Sequence, residues 1–250
     1  MKKILTYILL LTLVACTNED YLTYDTRQKD SVFFEYEDEE GKAADSVRYD
    51  FNYDIAREHV IKIPVTLMGM PGSTDRKVQL TPVPTDTDMK ENVHYRITGD
   101  TLRAGKTGCT VCVHLLRDND PALLERPFTL HLQITENDHL RSVGKHDFTI
   151  IYSDIHPTER PEWWYTDQPM PVYSFEAAQL FFEYFYRLAP LAGGGDVYRE
   201  MINTYGDYFV RAVYLRGPLA MYTNFLRKWV LMPMYNDTKD QLQWQGIPNI

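Results

Sequence analysis

From Phe128 to Ile134 every second residue is apolar: Phe128, Leu130, Leu132 and Ile134 alternate with Thr129, His131 and Gln133. A period of two is the repeat of a β-strand, whose successive side chains point to opposite faces, so this segment has one face to bury and one to leave wet. The same alternation sets Ile61, Ile63, Val65 and Leu67 against Lys62, Pro64 and Thr66. It sets Val111, Val113 and Leu115 against Cys112 and His114, and it returns in Phe148, Ile150 and Tyr152. Residues 32–37 and 47–53 are further candidate strands, with the charged turn Asp38, Glu39, Glu40, Gly41 between them. One-faced strands bury their apolar sides by packing sheet on sheet. Seven or eight of them predict a β-sandwich over residues 30–153. Pro64 has no N–H to give to a ladder, which predicts an edge or a bulge for its strand.

The pattern changes after residue 153. Residues 154–172 hold prolines at 157, 161, 169 and 171 around Trp163, Trp164 and Tyr165, and read as a linker. Ser174 then suits a helix N-cap, and Phe175, Ala178, Phe182, Phe185 and Leu188 fall at helical spacing. A second apolar pattern runs over residues 197–215, of which 208–215 would also suit a strand. A third puts Leu219, Tyr222, Leu226 and Trp229 on one face. Residues 173–250 therefore predict a small helical domain, giving an all-β N-terminal domain plus an α C-terminal domain. Gly193, Gly194 and Gly195 are followed by Asp196 and Val197 rather than the lysine and hydroxyl of a phosphate loop, so they predict a helix stop and restart. Trp163, Trp164, Tyr165 and Trp244 are the candidate contact residues: they could stack on sugar rings, meet a partner protein, or pack the joint between the two domains.

Ahead of the sandwich, Lys2 and Lys3 precede an apolar run over residues 4–14. That run is about half of the roughly twenty residues a bilayer-spanning helix needs. A charged start, a short apolar stretch and small residues at its exit mark a secretory signal over residues 1–15. The exit Leu13, Val14, Ala15, Cys16 reads as a lipobox, with Cys16 as the lipid attachment site and residues 16–29 as a polar tether. A multiply acylated cysteine holds a protein on a membrane essentially permanently. Thr17 and Asn18 follow, then the acidic pair Glu19 and Asp20, which resembles the surface-export signal of Bacteroidetes lipoproteins.

The chain carries 26 basic and 35 acidic residues; setting aside Lys2 and Lys3 leaves 24 against 35, a balance of −11. Such a surface repels nucleic-acid phosphates, and no nucleic-acid partner is expected. Cys109 and Cys112 form a CxxC, but in a strand, residues three apart face opposite sides with Cα atoms about 10 Å apart. A disulfide needs less than about 7 Å. Cys109 is therefore expected to face the core and Cys112 to face outward, with no redox or zinc role. The histidines lack metal-ligand spacing, and no cofactor is implied.

Residues 92–97 (Asn, Val, His, Tyr, Arg, Ile), then Leu102 to Thr107 with its Gly105 turn, then Thr110 to Val113, resemble the core of Calx-β and related immunoglobulin-like repeats. Asp118, Asn119 and Asp120 sit where such domains put an acidic loop. The resemblance implies calcium candidates at Asp86, Asp88, Asp118 and Asp120. His94, however, stands where the pattern carries an aspartate, and turn-forming roles explain the four without metal. The whole order of lipobox, acidic tether, sandwich and Tyr-rich helical tail is similar to a Bacteroidetes lipoprotein family of unknown function. Members of that family are commonly encoded beside SusC/SusD-type outer-membrane uptake systems. The resemblance implies a non-enzymatic, surface-exposed outer-membrane lipoprotein that helps such a system bind or assemble around glycan or peptide. The alternatives are an adhesin-like structural lipoprotein and a hydrolase with scattered carboxylates. Metabolic labelling with a fatty-acid probe should mark the protein, and Cys16→Ala should abolish the signal; labelling that survives the substitution rules the anchor out.

Overall fold

The computed structural model describes residues 29–38, 40–164, 169–193, 195–215 and 220–248. Cys16 lies outside them. Eleven strands come first: β1 (Asp30–Phe34), β2 (Ser46–Asp50), β3 (Glu58–Met68), β4 (Arg76–Lys77), β5 (Gln79–Pro82), β6 (Tyr95–Thr98), β7 (Thr101–Leu102), β8 (Gly108–Leu116), β9 (Phe128–Thr135), β10 (Leu140–Ser142) and β11 (Asp147–Ser153). One sheet has the order β10-β1-β3-β8-β6 and the other β2-β11-β9-β5, while β4 and β7 pair separately. Strands shorter than five residues cannot display an alternation, which is why more strands form than the seven or eight expected.

The two sheets close on the residues that the alternation marks. Ile63, Val111, Val113, Leu115, Leu130, Leu132, Phe148 and Ile150 are wholly excluded from water. Burying a side chain of this size is worth about 1.5–3 kcal/mol. Cys109 lies partly buried against this core and pairs with Val65, while Cys112 pairs with Lys62, and both are free thiols. Burial pushes the Cys109 thiol up to about 11, with the nearby Asp100 charge adding to it, so it is almost wholly protonated at neutral pH.

Pro64 does not put its strand at an edge. β3 is central, flanked by β1 and β8. The Glu35 N–H donates to the Pro64 carbonyl at 2.9 Å, one rung past the last β1 pair at Phe34 and Val65. The missing N–H of Pro64 thus falls on the side where β1 has just left the sheet, and no ladder bond inside the pairing is lost. The first two strands also part company. β1 pairs parallel with β10 in one sheet, and β2 pairs parallel with β11 in the other, so the charged turn between them carries the chain from sheet to sheet.

At one end of the sandwich Arg117 gathers the loops. Its Nε and Nη2 donate to the two oxygens of Asp154, each at 2.7 Å, and its Nη1 donates to the carbonyls of Asp54 and Ala56. The guanidinium lies over the Phe51 ring at 4.9 Å, and the side chains of the pair are only 9% and 8% exposed. Nearby, the Tyr152 hydroxyl, fully buried, is 3.2 Å from the carbonyls of both His94 and Leu116.

The helical part follows. Helix α1 (Phe175–Leu188) starts where Ser174 accepts from the Ala177 N–H, and it buries Ala177, Ala178, Phe181, Phe182, Tyr184 and Phe185. Helix α2 (Gly195–Tyr205) ends well short of residue 215, because Gly206 takes φ 76°, a left-handed stop. Residues 208–215 continue neither as helix nor as strand: Asp207–Phe209 form one 3₁₀ turn and the rest is irregular. Helices α3 (Met221–Leu226) and α4 (Met232–Thr238) are joined by a π-helical turn, Arg227–Leu231. Pro233 explains the turn, since its ring would collide with the carbonyl of Trp229 in a regular α-helix and it has no N–H to offer there. The wider winding also keeps Tyr222, Leu226, Val230, Met234 and Thr238, spaced four apart, on one buried face. No helix among the described residues is long and apolar enough to cross a membrane.

Arg117→Ala should cost about 3–5 kcal/mol, because it strands a buried Asp154 charge and two carbonyls. Arg117→Met combined with Asp154→Leu should recover much of that loss. Urea unfolding of the three variants checks both; a loss under about 1 kcal/mol for Arg117→Ala would show that the pair does not hold the loops.

Candidate functional site

The seam where the sandwich meets the helices is built from three segments far apart in sequence. The first is the chain leaving β2. Asn52 turns it with φ 49°, and Tyr53 leaves the sandwich to enter the helical core, stacked on Phe175 and Phe182 with ring centroids 5.6 and 5.2 Å away. Its hydroxyl meets that of Tyr173 at 3.0 Å. Asp54 follows, accepting from the Tyr49 hydroxyl at 3.0 Å and from the Ala56 N–H at 2.9 Å. The second segment is α1, which presents Phe182, Glu183, Tyr186 and Arg187. Gln179 on the same helix donates to the Asp54 carbonyl at 3.3 Å, the carbonyl that Arg117 also holds.

The third segment is the chain after Gly206. Tyr208 and Phe209 both adopt left-handed backbone, with φ 52° and 54°. Non-glycine residues in that region cost of order 1–3 kcal/mol each and persist where the surroundings over-determine them. The surroundings here are plain. Phe209 is buried among Trp163, Phe181, Phe182 and Phe185, with centroids 4.9–6.1 Å away. The Tyr208 N–H donates to the Tyr186 hydroxyl at 2.9 Å, and that hydroxyl donates onward to Asp207 at 3.2 Å. The strain aims the Tyr208 ring into the seam.

The three segments enclose a cleft of about 440 Å³ lined by Tyr53, Asp54, Ile55, Phe182, Glu183, Tyr186, Arg187 and Tyr208. Ile55 is 57% exposed there, an apolar side chain left uncovered at the rim. Burial, reinforced by nearby carboxylates, pushes the Tyr186 and Tyr208 hydroxyls above the usual phenol range, so both remain protonated at physiological pH. Arg187 is 3.6 Å from Glu183 and lies over the Tyr184 ring at 4.5 Å. Aromatic walls, phenolic hydroxyls, one guanidinium and two carboxylates suit the binding of a mixed polar and apolar ligand. A second cleft of about 390 Å³ lies beside the first and shares Tyr53 and Tyr208 with it.

Of the four aromatic residues picked from the sequence, the three described ones do not share an exposed face. Trp163 and Trp164 are 2% and 1% exposed, and the Trp164 Nε1 donates to the Pro171 carbonyl at 3.0 Å, so both serve as core. The stacking faces they would offer a ligand are covered by Phe181, Phe182, Phe209 and Tyr173. Trp244 is half-buried, edge-on to Tyr235, with its Nε1 donating to Thr238. Tyr165 lies outside the described residues. The four aspartates are spread among protein partners: Asp88 with Arg126 and the Thr129 N–H, Asp86 beside His131, Asp118 beside Arg57, and Asp120 with the Ala122 N–H and His94. The buried His94 ring accepts from the Lys90 N–H through Nδ1, leaving Nε2 to face Asp120 at 2.9 Å. Among the described residues no three His, Cys, Asp or Glu side chains are grouped to hold a metal ion.

The chain belongs to the family described as "Domain of unknown function (DUF4843)", whose model matches residues 24–185, through the sandwich and most of α1. No curated protein matches it. Among solved structures it is similar to a two-domain protein of unknown function from Bacteroides fragilis, at 14% identity and a TM-score of 0.39 over 51% of this chain and 46% of that one. It is also similar to a putative carbohydrate binding protein from Bacteroides ovatus, at 13% identity and 0.34 over 50% and 37%. CBD12 from CALX1.2 aligns at 12% identity and 0.33 over 50% and 45%. The chain thus spans less than half the length of each of these structures.

Tyr186→Phe should leave the Tyr208 N–H without its acceptor and cost about 1–3 kcal/mol. Amide exchange at residues 207–212 should quicken before global unfolding does; unchanged exchange there would show that Tyr186 does not hold the left-handed turn.

Proposed function

We propose that the protein is a non-enzymatic, lipid-anchored binding component on the outer face of the outer membrane, serving a SusC/SusD-like uptake system for glycans or peptides, and that the seam cleft holds the ligand. The observation that carries this reading is the strained Tyr208 beside a cleft that neither part of the chain builds alone. The position of the cleft supports it as well. β3 runs from the seam toward Met68, where β1 begins, so the cleft and Asp30 lie at opposite ends of the sandwich. A strand of eleven residues spans roughly 35 Å. An anchor at Cys16 would therefore leave the cleft facing away from the membrane. The acidic surface and the lipobox support export and anchoring, and the family's description names no reaction.

The native protein, extracted in mild detergent, should bring a SusC/SusD-like pair with it. Calorimetry on the full chain should detect the cargo of that pair, with Arg187→Ala and Ile55→Asp each weakening binding by about tenfold or more. Extraction without the pair would overturn the uptake role. Cargo binding that both variants leave unchanged would overturn the assignment of the cleft.

A further inference from the structure

The second cleft differs from the first in charge. Its walls include Pro161, Val210 and Val213, and its charged lining residues are Glu159 and Glu162; no lysine or arginine lines it among the described residues. Both glutamates are exposed, and neither has an ion-pair partner among the described residues. Val210 and Val213 are 68% and 52% exposed, apolar surface that the helical core does not cover. Asn52 completes the lining, and its Oδ1 is buried with no donor. The cleft therefore combines apolar walls with two negative charges that no lining lysine or arginine offsets among the described residues.

We propose that this cleft is a pocket for the lysine or arginine side chain of a peptide. Such a side chain has an apolar stem and a cationic, donor-only head. The stem matches Pro161, Val210 and Val213. The head matches Glu159 and Glu162. An anionic ligand would be repelled by the two carboxylates. A neutral sugar would desolvate them without any charge in return. The inference does not depend on the first cleft being the cargo site.

The test is an amide NMR titration of the full chain with the blocked tripeptides Ala-Lys-Ala and Ala-Arg-Ala, with norleucine and glutamate tripeptides and maltotriose as comparisons. The lysine and arginine peptides should shift the Val210 and Val213 resonances and bind at least about tenfold more tightly than the norleucine peptide. That preference should shrink as salt rises, because the charges are exposed. Glu159→Gln combined with Glu162→Gln should remove it, with the rest of the spectrum unchanged as the check on folding. Arg187→Ala, in the first cleft, should leave it intact. Equal binding of the norleucine peptide, displacement by maltotriose, unaltered binding by the double variant, or no binding of either basic peptide would each overturn the proposal.

Discussion

A single guanidinium decides where the two parts of this chain meet. Arg117 leaves the end of β8 and uses its donors on the loop after β2 and the residue after β11, so three chain segments are fixed around one buried charge. A buried cation is tolerable only when its donors are met, and here the carboxylate of Asp154 and two backbone carbonyls meet them. The Asp54 carbonyl also receives Gln179, so the arginine's ligand is at the same time a foothold for α1. Tyr53, one residue earlier, is carried into the helical core by the same loop. The seam cleft follows from that arrangement: its sandwich wall is the Arg117 loop, and its helical wall is the helix docked on it.

The sheets were the most legible part of the sequence because alternation is local. Phe128 to Ile134 announces its buried face without reference to any other strand. Which strands neighbour each other is not local, and that is where the reading of Pro64 failed. A missing N–H excludes a ladder bond on one side only, and β1 ends just where that bond would have been. The helical reading held for α1, where the Ser174 cap and the apolar spacing agree. It failed over residues 206–215, where apolar residues continue past Gly206 while the helical backbone does not, and held again at α3, which buries Tyr222 and Leu226.

The site was far less legible. Trp163 and Trp164 stood out by type, yet residue type does not tell whether an aromatic ring faces water or other rings, and here they are interior. Ile55, the α1 pair Tyr186 and Arg187, and Tyr208 come from three separate segments, and no spacing joins them. Tyr53 misleads in a further way: its parity with Tyr49 and Phe51 reads as one strand, but the turn at Asn52 sends it to another core. The left-handed pair Tyr208 and Phe209 has no glycine to betray it; the ring cluster around Phe209 and the Tyr208 N–H bond to Tyr186 account for it.

The parallel pairing of β1 with β10 and of β2 with β11 bears on how the molecule carries load. β1 starts at the end of the sandwich remote from the seam and runs toward it, so a pull between Asp30 and the helical layer acts along the strands. Rungs loaded that way share the force and must break together, whereas a strand peeled from its end gives up one bond at a time. Pulled at Asp30, the sandwich therefore meets the load in shear, along the line from the start of β1 to the clefts.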